Sequence, residues 1–389
     1  MPLLDLVSHK RVLVTCGAGG VGKTTTAAAL ALAGARLGKR VLCLTIDPAK
    51  RLAQSLGLDQ ISGEATRIDP VHFQRAQLSV PGTLTAMMLD TKRTFDDLVR
   101  KRSSTPAQAE RLLKNKLYRY VSGSLAGTQE YMAMEKLAEV QDDPDYDLVV
   151  LDTPPTTNAL DFLSAPERMT EALDSAAIRW FVEAFQGGKS FSLNLLARGA
   201  QAVLRGLGKI TGGEFLQDMA EFVAELNDLF GGFRERAEAV QGALRGPSVA
   251  FVVVAAPTAP SLEEALFFSE RLSASQMPLG ALVVNRVRRR PGFAELPPAA
   301  RQVEAFLRAC NVTLGEGGAE RLLRAHAEAS ALAAYDEQAV LSHLGRWLRS
   351  PGHAPLVGVA ELATDVHDVR LLGEIGEILI RGGNVSFPT

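Results

Sequence analysis

The chain has 389 residues, 47% of them hydrophobic and 22% charged, with a formal net charge of −2 at pH 7. This is an ordinary soluble composition with enough apolar material for one large α/β domain carrying insertions, or for two domains. The near-neutral balance provides no global positive field, so neither nucleic acid nor an anionic lipid surface is an expected partner.

No charged segment followed by an apolar one opens the chain, and the longest apolar run, 249–256, is far too short to span a bilayer. The expectation is a cytoplasmic protein without a transmembrane segment. Cys16, Cys43 and Cys310 lie far apart and form no C-x-x-C pair, so they read as buried apolar residues in a reducing compartment.

In chain order, the first strong pattern is a β-branched run from Val12 that enters glycines and then an alanine-rich stretch. From Gly17 the residues fit G-x-x-x-x-G-K-[ST], the loop whose backbone N–H groups, helix N-terminus and lysine converge on a polyphosphate. Gly17, Ala18, Gly19, Gly20, Val21, Gly22, Lys23, Thr24 and Thr25 are the candidate phosphate-binding residues, with Thr24 offering its hydroxyl to magnesium. Gly17, Gly19 and Gly22 also satisfy the dinucleotide fingerprint G-x-G-x-x-G, with Asp47 near the place of a ribose-binding acid. A dinucleotide fold has no use for a lysine and threonine at the helix mouth, whereas a nucleoside triphosphate with magnesium needs both.

A helix over 25–37 stopped by Gly38 precedes a strand over 40–46, which delivers Asp47 to the carboxyl edge of a sheet. There a carboxylate can orient an attacking water or hold a magnesium-bound one; a plain cap for the helix after Pro48 is the alternative. A third strand is predicted over 71–80, then helices over 83–102, 106–122 and 129–140. The cluster Arg100, Lys101, Arg102 reads as a solvated helix end. A buried strand over 146–151 ends in Asp152, an acid at a strand tip, where a Walker-B carboxylate holds magnesium through a water.

The stretch 166–245 reads as helical. Phe215, Met219, Phe222, Leu226, Leu229, Phe233, Ala237, Val240 and Leu244 recur in steps of four and three, as do Leu193, Leu196, Ala200, Val203 and Leu207. Mutual packing in a helical subdomain is one reading of these seams, and a surface for a partner or client the other. Just ahead of both, Trp180, Phe181, Phe185 and Phe191 with Gly187 and Gly188 suggest a groove lip for an apolar helix. Strands over 248–255 and 281–285 flank a helix over 261–273 as a βαβ unit. Asn285 falls at a strand tip, where its amide can read an adenine edge. Arg286, Arg288, Arg289 and Arg290 read as a solvated loop, with a place near phosphates or a second subunit as the alternative. Helices over 297–348, a short strand over 356–359 and a helix over 369–380 that covers the sheet complete the expectation.

The arrangement predicts a mostly parallel doubly wound sheet of the P-loop NTPase kind with a large inserted helical subdomain. The core is expected over 1–82, 143–165 and 247–389, with helical insertions over 83–142 and 166–246.

Gly-Ala-Gly-Gly-Val-Gly-Lys-Thr-Thr at 17–25, Ile-Asp-Pro-Ala at 46–49, Leu-Asp-Thr-Pro-Pro-Thr at 151–156 and Val-Val-Asn-Arg at 283–286 together resemble the ArsA family. That family includes the arsenite-pump ATPase and the tail-anchored-protein targeting ATPase of the guided-entry pathway. The resemblance spans nearly the whole chain and implies an ATP-hydrolysing enzyme that uses ATP and magnesium. It implies that Lys23 binds phosphates and Thr24 magnesium, that Asp47 orients water, that Asp152 is the second switch acid and that Asn285 reads adenine. It also implies nucleotide-gated dimers, with self or with a paralogue, whose helical subdomain engages an apolar protein segment or a membrane-protein partner.

Three departures bear on mechanism. Ala18 stands where the family carries a loop lysine, Lys50 and Asn158 replace its histidines, and 83–246 holds neither cysteine nor histidine. Soft thiolate ligands for arsenic and a C-x-x-C for zinc are thus not where the family places them. The alternatives carried forward are a nucleotide-controlled holdase with little turnover and an arsenite-transporting ATPase.

Overall fold

The structure is a computed structural model that describes residues 2–46, 51–58, 60–115, 118, 128–154, 222, 233–291, 299–349, 353–385 and 387. In chain order the elements are α1 (Pro2–His9), β1 (Val12–Cys16), α2 (Lys23–Arg36), β2 (Arg40–Thr45), α3 (Arg51–Ser55), β3 (Thr66–Arg67), α4 (Pro70–Arg75), β4 (Thr83–Met88), α5 (Thr91–Arg102) and α6 (Pro106–Lys114). They continue with α7 (Thr128–Gln141), β5 (Leu148–Asp152), α8 (Phe233–Leu244), β6 (Val249–Ala255), α9 (Ala259–Ala274), β7 (Leu279–Val287), α10 (Ala300–Ala309), α11 (Gly318–Arg349), β8 (Leu356–Ala360) and α12 (Val369–Ile380).

Eight strands form one sheet in the order β3-β4-β2-β5-β1-β6-β7-β8. Every pairing is parallel except that of the short edge strand β3 with β4. Both faces are covered, as a parallel sheet requires, so the central strands are apolar without interruption. Their alternation still sorts side chains by face. Val12, Val14, Leu42 and Leu44 pack with α9 and α11 through Leu262, Phe268, Val340 and Leu344. Leu13, Val41 and Cys43 pack on the other face with α1, α2 and α12 through Val7, Leu30, Leu372 and Ile375. The alanines of α2 seat it close to the sheet, and Arg36 ties it to α12 through Glu377 at 2.7 Å. The helix predicted over 369–380 is α12, and it covers the sheet as expected.

A smaller apolar cluster stands apart from these two layers. It joins Phe95, Val99, Leu112, Tyr118, Tyr131, Met132 and Phe222. On α7, Met134 and Leu137 face the sheet while Tyr131 and Met132 face this cluster, so the helix ties the two together.

Two predicted elements are corrected. The stretch 71–80 is not a strand: Asp69 accepts a hydrogen bond from the Val71 N–H at 2.9 Å and Pro70 opens the short helix α4. Aspartate followed by proline is a helix start, and it outweighs the β-branched residue that follows. Helix does not begin at Thr83 either, because Thr83–Met88 is a sheet strand paired with β2 from Arg40↔Thr83 to Thr45↔Met88. Its methionines suggested helix, but burial between two layers decides. The helical segment therefore starts after Asp90, whose carboxylate caps α5 through the Arg93 N–H, and the core sheet extends past the expected boundary at 82.

Of the expected heptad seam, Phe222 is buried in the helical cluster, whereas Val240 and Leu244 of α8 pack on the sheet. The rest of that seam's side chains, the seam from Leu193 to Leu207 and the aromatic groove around Trp180 lie outside the described residues. No helix among the described residues is long and apolar enough to cross a membrane.

Candidate functional site

Three strand tips meet at the carboxyl edge of the sheet. In the ladders Thr15 of β1 and Thr45 of β2 both stand opposite Asp152 of β5. The Thr45 hydroxyl donates to Asp152 Oδ2 at 2.9 Å, and the Ile46 N–H donates to the Asp152 carbonyl at 3.1 Å. Asp152 is fully buried. Thr153 donates its hydroxyl to the Thr15 carbonyl at 2.8 Å, fixing the exit of β5 against β1. Asp47 follows β2 but lies outside the described residues.

The loop from Gly17 leaves β1 at this edge and ends at α2. Gly17 has φ 147° and sits so close to β6 that an added Cβ would stand 2.0 Å from the Val254 carbonyl oxygen. Gly22 caps α2 in the left-handed region at φ 95°, and a Cβ there would meet Asn285 Nδ2 at 2.3 Å. Both positions therefore demand glycine for conformation and for space. Gly19 and Gly20 are exposed, Val21 is buried, and Ala18, Thr24 and Thr25 are partly buried.

Lys23 is 6% exposed and its ammonium donates to the Ala18 carbonyl at 2.7 Å, folding it back over the loop. Cys16 and Cys43, on the strands beside this edge, are buried. Burial pushes both thiols far up; the Lys23 charge opposes it at Cys16, and the Asp152 charge adds to it at Cys43.

A cavity of about 520 Å³ opens over the loop. Gly20, Gly22, Lys23, Thr24 and Thr25 line one wall, together with Thr153, Asn285 and Arg286. Arg51, Gln54 and Ser55 of α3 line another side. The far wall is the segment after β8, with Glu361, Leu362, Thr364, Asp365 and Val366. The structure thus brings Gly20, Gly22, Lys23, Thr24, Thr25 and Asn285 to one cavity, with the buried Asp152 next to its Thr153, while Gly17, Ala18, Gly19 and Val21 are not in its lining.

Asn285 does more than border the cavity, since its Nδ2 donates to the Val21 carbonyl at 2.9 Å. One N–H and the side-chain oxygen are left over for a ligand. The arginines that follow are all exposed, as the solvated reading expects, yet they are tied down at the surface. Arg286 donates to the Gly20 carbonyl at 3.1 Å, Arg288 pairs with the buried Asp336 at 3.1 Å, and Arg290 pairs with Glu337 at 2.7 Å.

Sequence reasoning missed the α3 residues and the far wall. The only signal for the far wall was its place after the strand over 356–359, because ligands of open α/β sheets lie beyond strand carboxyl ends. Among the described residues no cluster of three or more metal-ligating side chains forms. A glycine cradle, an ammonium and threonine at a helix mouth, and a buried aspartate on the adjacent strand nevertheless suit a polyphosphate with a magnesium ion, which takes few protein ligands and several waters.

The family model described as anion-transporting ATPase matches residues 10–291. Among curated relatives, the ATPase GET3 of Phaeosphaeria nodorum is 27% identical over 289 residues, covering 74% of this chain and 79% of that protein. The ATPase get3 of Aspergillus terreus is 27% identical over 59% of this chain and 63% of its own length. The ATPase ASNA1 homolog 1 of Paramecium tetraurelia is 31% identical over 41% of this chain and 44% of its own.

Proposed function

The chain belongs to the anion-transporting ATPase family, and from that premise we propose that it binds ATP with magnesium at the Gly17 loop and passes its nucleotide state to a helical subdomain. It is an ATP hydrolase of that family. The observation that carries the site is the glycine cradle with Lys23 at the mouth of α2, beside the buried Asp152.

In this reading Lys23 leaves the Ala18 carbonyl and sets its charge against the terminal phosphates. The α2 N-terminus and the loop N–H groups hold the phosphate oxygens. Thr24 and Asp152 hold the magnesium, which neutralises phosphate charge when bound. Thr45 keeps Asp152 oriented. Asp47 orients the attacking water, and Asn285 meets the adenine with its remaining donor and acceptor. The helical segments, over about 91–142 and 166–246, form the output that engages an apolar protein segment or a membrane-protein partner. The active form is a cytoplasmic dimer, with self or with a paralogue, in keeping with the family resemblance.

Steady-state phosphate release tests this. Wild type should turn over ATP only with magnesium, and Lys23→Ala should lose about a hundredfold or more, the scale for removing one charge-stabilising group. Absence of turnover with retained ATP binding would favour a nucleotide-controlled holdase, to which Ala18 points. Stimulation by arsenite would favour arsenite transport. That last reading needs soft ligands, and Cys16 and Cys43 are buried in strands while Cys310 is exposed at the end of α10.

A further inference from the structure

Asn285 and Arg286 are consecutive residues, and consecutive strand side chains point to opposite faces of a sheet. Here both reach the same loop. Asn285 donates to the Val21 carbonyl at 2.9 Å and Arg286 to the Gly20 carbonyl at 3.1 Å. Two features of β7 make this possible. Its register with β8 shifts between Val284 and Val287, and Arg286 adopts φ 60°, a left-handed backbone that L-residues avoid. The irregularity is held from behind, because the Val287 carbonyl accepts the Glu361 N–H at 2.9 Å and the Arg288 N–H donates to Asp336 at 2.9 Å.

We propose that Asn285 and Arg286 form a clamp that presets the phosphate loop, with Arg286 a positioning residue that works through the Gly20 carbonyl. A peptide unit is planar, so its C=O and the following N–H point in opposite directions. Tying back the Gly20 and Val21 carbonyls fixes the Val21 and Gly22 N–H groups, two donors of the cradle. A loop held in this way binds polyphosphate without having to order itself first. The clamp rests on the nucleotide reading above and extends it: Arg286 governs affinity for the phosphate chain, whatever base is attached.

The test is competition of ATP and of inorganic triphosphate, each with magnesium, against a fluorescent ATP analogue. Wild type, Lys23→Ala, Arg286→Ala, Arg286→Gln and Arg286→Lys are compared. Arg286→Ala should weaken ATP and triphosphate alike by about tenfold, the order expected for one hydrogen bond from a charged donor. Arg286→Lys keeps an N–H donor of nearly the same reach and should recover affinity to within about threefold of wild type, whereas Arg286→Gln ends two bonds short of the donating Nη1 and should not.

Arg286→Ala binding both ligands as wild type does would overturn the clamp while leaving the nucleotide reading intact, with Lys23→Ala showing that reading by its loss of both ligands. Recovery by Arg286→Gln to the level of Arg286→Lys would also overturn the clamp, since a side chain too short for the Gly20 carbonyl would then serve as well. A wild type that binds neither ligand would overturn both proposals.

Discussion

The two walls of the cavity are built on opposite plans. The near wall is set by a local turn: Gly20, Gly22, Lys23, Thr24 and Thr25 line it, and Gly17 at the start of that turn fits only because it has no Cβ against the Val254 carbonyl. The far wall comes from a stretch remote in sequence: Glu361, Leu362, Thr364, Asp365 and Val366 lie between β8 and α12. One side of the cavity therefore rests on a local turn, while the other depends on tertiary placement.

The contrast is easiest to break at the near wall. Gly17→Ala forces a Cβ into the Val254 carbonyl and should cost about 3 kcal/mol or more in stability, with nucleotide binding lost. Calorimetric unfolding and an ATP titration check both effects.

At the far wall the expected sign is reversed. The double variant Glu361→Gln and Asp365→Asn removes two negative charges from a site for a polyanion. ATP affinity should rise about fivefold at low salt and return to wild type at high salt, where screening erases the difference.

A change away from both walls sharpens the comparison as a control. In the helical cluster the Tyr131 hydroxyl donates to Glu135, and burial raises that carboxyl above its ordinary range. A carboxyl raised on folding destabilises the fold as pH climbs past its unfolded value. Glu135→Gln should thus gain about half a kcal/mol at neutral pH, and the gain should vanish below about pH 4. ATP affinity should not move.

The smallest effect is expected at the opposite edge of the sheet. There the Arg40 guanidinium and N–H hold Asp147 at about 2, below its ordinary 3.8. The pair contributes above about pH 4 and is lost as pH falls through about 2. Asp147→Asn should flatten that acid limb of a thermal-stability profile.

The same contrast explains what could be read from the chain. The glycine turn between β1 and α2 was legible because its signal is local: glycines, lysine and threonine at fixed spacing. The strands β2, β5, β6 and β7 were legible because burial between two layers leaves continuous apolar runs. Strand β4 was not, since its methionines suit either state until β2 is present to pair with it. The role of Arg286 was hidden as well, because it follows from a bulge and a positive φ that no spacing announces. The far wall depends on which segment the topology carries beside the loop, and residues 361–366 have no motif of their own.

The margins of the sheet are finished in different ways. On one side the two-residue β3 runs antiparallel to β4. On the other the chain returns after α12, so that the Asn384 N–H donates to the Gly358 carbonyl, its side-chain oxygen accepts the Ala360 N–H, and Val385 bridges Gly358. A hemmed border offers another polypeptide little ladder to extend. A second chain would then find helices and loops rather than an open sheet edge at these margins, and the eight-stranded layer stays closed to lengthening.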